Sequence, residues 1–173
     1  MINKLNFNNQ NQKKNSWCWA AVSLGIAKFY DSNTLFTQCL IVSAAFQGVD
    51  CNTIDQSCDL GNVLSTVTQK FNISKNLGFD DIQTELSKSH PIAADITWDN
   101  GDGTGHCIVI CGCEIDNSNQ KYIYIADPLL KDGVSIRKKF DTEFCNGYTN
   151  GLPNCNDGMW MKSYLTQPNN NIG

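Results

Sequence analysis

The hydrophobic rhythm of the chain changes once, near Pro91, and that change limits the folds open to it. Before Pro91 apolar residues recur at helical spacing; after it they come in short β-branched and aromatic runs. From Trp17 to Tyr30 they fall at positions 18, 19, 22, 26, 29 and 30, and Ser16 stands where it can cap the helix they predict. A second helix is expected over 35–46. A third is expected over 59–71, with Leu60, Val63, Leu64 and Val67 on one face. A fourth, over 79–89, carries Asp80 and Asp81 in its first turn, where the helix dipole favours acids. Strands are expected over 91–98, 106–115, 121–128, 133–140 and 158–165, and "DNSNQ" reads as a hairpin turn joining the second to the third. Helices first and strands after describe an α+β chain, a helical lobe followed by an antiparallel sheet.

With 173 residues the chain is long enough for one self-sufficient core, so a single domain over 1–173 is expected. Residues 1–15, rich in Asn, Gln and Lys without periodicity, read as an extended or mobile arm, and 167–173 as a flexible tail. A net charge of −4 without a basic stripe argues against nucleic acid as a partner. No apolar run approaches the length of a membrane span, and the first fifteen residues hold no signal-peptide core. A monomer is expected.

The nine cysteines are an odd number, and none form a CxxC pair. Bridges among Cys39, Cys51 and Cys58, or between Cys145 and Cys155, are open alternatives. Cys107, Cys111 and Cys113 alternate along one strand and are expected to face one side of it, as small buried thiols rather than a metal site. "DNGDGTG" lacks the ligand spacing of a calcium loop and reads as the turn before His106. Neither metal nor cofactor is expected. The cysteine content leans towards secretion or delivery into a target cell, and the missing signal leans the other way.

A nucleophilic cysteine needs an ionised thiol, a base held by a third group, and donors for the oxyanion formed on the substrate. Cys18 lies in the first turn of the first expected helix, where the dipole favours its thiolate. Of the two histidines, His90 precedes Pro91 at a helix-to-strand junction and reads as a turn residue, whereas His106 opens a buried strand after glycines. Asp127 ends the apolar run "YIYIA", and if "DNSNQ" closes a hairpin, His106 and Asp127 come together at its far end. Each residue alone has a plainer reading: a core thiol, a structural histidine, an Asp-Pro turn. The ordered set of three is much rarer by chance.

Gln12, then Cys18-Trp19-Ala20, then Gly105-His106, then Asp127 resemble the papain-like cysteine peptidases, and "WCWAA" and "GH…DP" are most similar to their compact bacterial branch, to which a plant-pathogen effector protease belongs. The bacteriocin-leader peptidases of peptide exporters are a more distant likeness. By element order the resemblance runs from Gln12 to Tyr164. It implies a papain-like fold with the active site in the cleft between lobes, Cys18 as nucleophile, His106 as base, Asp127 as its orienter and Gln12 as oxyanion donor, acting on a protein or peptide. Trp17, Trp19 and Gly105 would line the substrate cleft. The sequence departs from papain in having Asp rather than Asn as third member and Trp17 where a small residue is usual. Gln10 competes with Gln12, which only spacing favours, and no propeptide is visible. Two other readings stand: an acyltransferase, transglutaminase or amidase on the same residues, or a disulfide-stapled binding module in which Cys18 is structural.

Overall fold

A β-strand has two hydrogen-bonding edges, and in this protein one strand uses both along most of its length. The computed structural model describes residues 2–68, 70–74, 77–98, 105–153, 155 and 157–168. Its strands are β1 (Ile2–Lys4), β2 (Lys70–Ser74), β3 (Ile92–Thr97), β4 (Gly105–Ile115), β5 (Lys121–Ala126), β6 (Ile136–Lys139) and β7 (Met159–Gln167). They form one antiparallel sheet in the order β2-β7-β3-β4-β5-β6. Along one edge β4 pairs β3 over Gly105–Ile110 and β1 over Gly112–Glu114; along the other it pairs β5.

Three helices, α1 (Cys18–Tyr30), α2 (Gln38–Ala45) and α3 (Leu60–Val67), share one core cluster with Cys107, Val109 and Cys111 of β4. The fourth, α4 (Phe79–Ser87), shares a second cluster with Ile108, Ile110 and the turn Phe140–Phe144. The fold is therefore α+β with a core on each face of the sheet. Every residue of α1 from Cys18 to Ala27 is buried, because α1 is packed by β4, α2 and α3 together. A helix enclosed in this way has no polar face to show. Its alanines, Ser23 and Gly25 keep its neighbours close, while Trp19, 1 % exposed, fills the space towards α2 and α3.

The structure corrects several expectations. Ser16 does not cap α1. Trp17 holds the cap position without a side-chain bond, and the Ser16 N–H donates to Asp55 Oδ1 at 2.8 Å. The second helix starts later than expected, at Gln38, with Thr37 Oγ1 accepting the Leu40 N–H. The third ends at Val67 instead of 71, because residues 70–74 leave it to pair with β7. Cys113 does not share a face with Cys107 and Cys111. The register of β4 against β5 shifts between Ile110 and Gly112, and that one extra residue reverses the alternation beyond it. Cys113 accordingly packs in the second core. Of the open disulfide alternatives the structure forms Cys39–Cys51; Cys58, Cys145 and Cys155 are free thiols. The N-terminal arm runs as β1 along β4 and then crosses the molecule. The "DNGDGTG" turn before Gly105 and the tail beyond Pro168 lie outside the described residues.

Candidate active site

Residues 11–17, between the arm and α1, are held from several directions. Gln38 accepts the Lys13 N–H at 3.0 Å and donates to Asn11 O at 2.8 Å. Lys14 Nζ donates to three carbonyls of the 51–54 turn, Cys51 at 2.9 Å, Asn52 at 2.8 Å and Ile54 at 3.0 Å, and lies over the Trp17 ring. The indoles of Trp17 and Trp19 donate to Ile54 O and Gln56 O, each at 3.1 Å. The 51–56 segment thus serves as a template for the loop that leads into α1, and the Cys39–Cys51 bridge ties that template to α2.

This loop delivers Cys18 as the first residue of α1, where helix N–H groups lack intrahelical acceptors and the dipole favours an anion. The Cys18 thiol is held well below its ordinary pKa, chiefly by a hydrogen bond from Cys107. Burial opposes the shift; a hydrogen bond and the positive charge of His106 add to it. His106 is the second residue of β4, 4 % exposed, with Nε2 at 2.8 Å from Asp127 Oδ1. Burial would lower its pKa, but the Asp127 charge and hydrogen bond, with contact to Cys18, outweigh it and raise the value to about 10. The imidazole stacks on Trp98, ring centroids 5.6 Å apart, and Trp98 stacks on Tyr148 at 5.8 Å. Gly158 makes this stack possible, since a Cβ there would lie 2.7 Å from the Trp98 ring.

Asp127 follows β5 and is fully buried. Besides His106, Oδ1 accepts the Leu129 N–H at 2.8 Å, while Oδ2 accepts the Tyr148 hydroxyl at 2.7 Å and Asn150 Nδ2 at 3.0 Å. Burial alone would raise its pKa; the charge and hydrogen bond of His106 and the other donors lower it instead. Its backbone carbonyl accepts Asn9 Nδ2 at 2.7 Å. Such a carboxylate can be buried because it is both paired and saturated with donors.

The sequence expectation for the hairpin describes the local geometry. β4 and β5 pair across a turn in which Asp116 Oδ1 accepts the Ser118 and Gln120 N–H groups, and His106 and Asp127 meet at the far end. Cys18, His106 and Asp127 are brought together. Gln12 lies on the loop leading to Cys18, its N–H bonded to Pro128 O at 2.9 Å, but its Nε2 donates to Lys14 O at 2.9 Å and Asn15 O at 2.6 Å. Its Oε1 is buried without a hydrogen-bond partner. Gln10 is bonded instead to Lys28, at the opposite end of α1. His90 is engaged by Glu85 at 3.1 Å.

Beside Cys18 a cavity of about 360 Å³ opens between the helices and the sheet. Trp19, Gly105 and His106 line it; Trp17 does not, being sealed against Ile54. Asp95 also lines it, with Oδ1 accepting the Cys107 thiol at 3.5 Å and Oδ2 the Tyr164 hydroxyl at 2.5 Å. The sequence did not single out Tyr148, Asn150, Trp98, Asn9 or Asp95. The first two sit in an irregular segment after Phe144, where no periodicity marks them. Among the described residues no cluster of three or more His, Cys, Asp or Glu side chains could hold a metal, and no helix is long and apolar enough to cross a membrane.

A thiolate at a helix N-terminus, an imidazolium against it and a buried carboxylate behind the imidazolium are the equipment for acyl transfer through a thioester. No curated protein matches the chain. Residues 2–142 match the family model described as papain-like cysteine protease AvrRpt2.

Proposed function

The chain belongs to the papain-like cysteine protease AvrRpt2 family, a bacterial effector protease family, and is a cysteine protease; from that premise we propose that it cleaves peptide bonds with Cys18 as nucleophile, His106 as acid and base, and Asp127 as orienter. The observation that carries this reading is the His106 Nε2–Asp127 Oδ1 bond at 2.8 Å, at a cavity that His106 lines together with Cys18, whose ionised form the His106 charge favours.

The Cys18 thiolate attacks the substrate carbonyl carbon, and the C=O pair becomes an oxyanion. The Cys18 N–H, at the start of α1, faces that oxyanion together with Gln12. For Gln12 this means turning an amide proton away from the carbonyl of Lys14 or Asn15. The C–N bond then breaks as His106 gives its proton to the departing amine, leaving a thioester on Cys18. Neutral His106 takes a proton from water, whose oxygen attacks the thioester; the acid leaves and the thiolate–imidazolium pair returns. Asp127 stays ionised throughout, holding the ring by Nε2 so that the other nitrogen serves the sulfur.

Cys18→Ala should abolish peptide turnover while the protein remains folded. Labelling with iodoacetamide near pH 6, where an ordinary thiol is almost wholly protonated, should modify Cys18 selectively, and His106→Ala should remove that selectivity. Indifference of the labelling to His106 would overturn this assignment. Product analysis with and without an added amine separates hydrolysis from acyl transfer to nitrogen on the same residues.

A further inference from the structure

The mechanism uses one of two thiols that share a core cluster and a cavity. Cys107 lies on β4 immediately after His106 and shares with Cys18 the core cluster between α1 and the sheet. Both line the same cavity, so a small solute reaching one reaches the other. Cys107 is buried, and its thiol is bonded to Asp95 Oδ1. Peptide hydrolysis as written gives it no proton to move and no bond to make.

The geometry points to Cys107 as a resolving thiol: when a peroxide oxidises Cys18, Cys107 captures it as a Cys18–Cys107 disulfide, which a thiol reductant reverses. This rests on the assignment of Cys18 as the activated thiol. In the first step the Cys18 thiolate attacks one oxygen of hydrogen peroxide. Cys18 becomes a sulfenic acid, and the displaced hydroxide takes the His106 proton and leaves as water. In the second step Cys107 sulfur attacks the sulfenic sulfur, the S–O bond breaks, and the Cys107 proton leaves with that oxygen as a second water. Two thiols lose one electron each, and one peroxide is reduced to two waters.

The electrostatics favour this order. In the reduced protein Cys107 is held protonated, first by its hydrogen bond to Cys18, then by burial and by the Cys18 charge. Oxidation of Cys18 removes that charge and that acceptor, leaving burial and Asp95 to hold the proton of the second thiol. Without it a sulfenic acid meeting more peroxide goes on to a sulfinic acid, which thiols do not reduce. Cys58 lines the same cavity and is the competing partner.

The test is to treat the protein with a small excess of hydrogen peroxide, block remaining thiols, and map it by mass spectrometry without reduction. A cross-linked peptide pair containing Cys18 and Cys107, short of two hydrogen masses and released by dithiothreitol with recovery of Cys18 labelling, is the expected result. Cys58→Ser should leave it unchanged. Cys107→Ser should instead accumulate sulfenic acid trapped by dimedone and then sulfinic acid, with labelling lost for good. The wild-type map decides even if that variant folds poorly. Cys18 ending as a sulfinic acid in the wild type, or bridged to Cys58, overturns the resolving role and leaves the nucleophile intact. Cys18 inert to peroxide and to iodoacetamide overturns both.

Discussion

Asp127 is held by four donors, and two of them, the Tyr148 hydroxyl and the Asn150 amide, can be removed without touching the Cys18 sulfur. Asp127→Asn keeps a hydrogen-bond acceptor for His106 but deletes the charge that most favours its protonated form. On the proposed assignment, the active thiolate–imidazolium pair is bounded on the alkaline side by loss of the His106 proton, near 10 in the wild type. In the variant that limb of the kcat/KM profile should move down by about one to three pH units; a limb that stays in place would separate Asp127 from the histidine. Tyr148→Phe removes one bond to the carboxylate and leaves the stack on Trp98. It should cost kcat about 10- to 150-fold, equivalent to about 1.5–3 kcal/mol for one hydrogen bond to a charged group, with KM little changed. The three residues in contact were legible in the sequence because chain order and a hairpin turn bring them together. Tyr148, Asn150 and Asn9 were not, because a loop side chain that bonds a distant carboxylate leaves no local pattern.

Among the elements, the most informative is the short 51–56 template under the loop that leads to Cys18. Three carbonyls on Lys14 and two on the indoles fix where α1 begins, and so where Cys18 points. The Cys39–Cys51 bridge holds the template to α2. Replacing both cysteines by serine should lower stability by about 2–3 kcal/mol, as for a short closed loop, and reduce kcat by a larger factor than KM rises. Urea midpoints and peptide turnover on the same preparation check this; turnover unchanged at lowered stability would show that the loop keeps its place unaided. The helices and central strands were legible from periodicity because each has a face determined by its own residues. β1 and β2 were not, since each exists only by pairing with a strand far along the chain. The bulge at Cys111 was invisible for a similar reason: it is a property of two strands in register, and it moved Cys113 to the other core.

For the molecule as a whole, the buried ion pair makes stability depend on pH in a way that can be worked out. Asp127 has a folded pKa below its unfolded value, so its contribution is present above about pH 4 and is lost as pH falls through the lower folded value. His106 has a folded pKa near 10, well above the unfolded value of about 6.5. Its contribution is complete below about pH 6.5 and is lost as pH rises through 10. Both are whole only between about pH 4 and 6.5. The difference in melting temperature between wild type and Asp127→Asn, followed against pH, should be largest in that window and shrink on either side. A flat difference would mean that the pair is not the source.

The site is also assembled from segments far apart in the chain. Asn9 bonds the carbonyl of Asp127 across 118 positions, Tyr148 and Asn150 complete the carboxylate, and β7 follows later still. During synthesis Cys18 therefore emerges long before the residues that would arm it, and contacts of this span form slowly even once the chain is free. On the proposed assignment, the nascent polypeptide carries Cys18 as an ordinary thiol, and the growing protein is spared its own bite until the segments around His106, Asp127 and Tyr148 have been made.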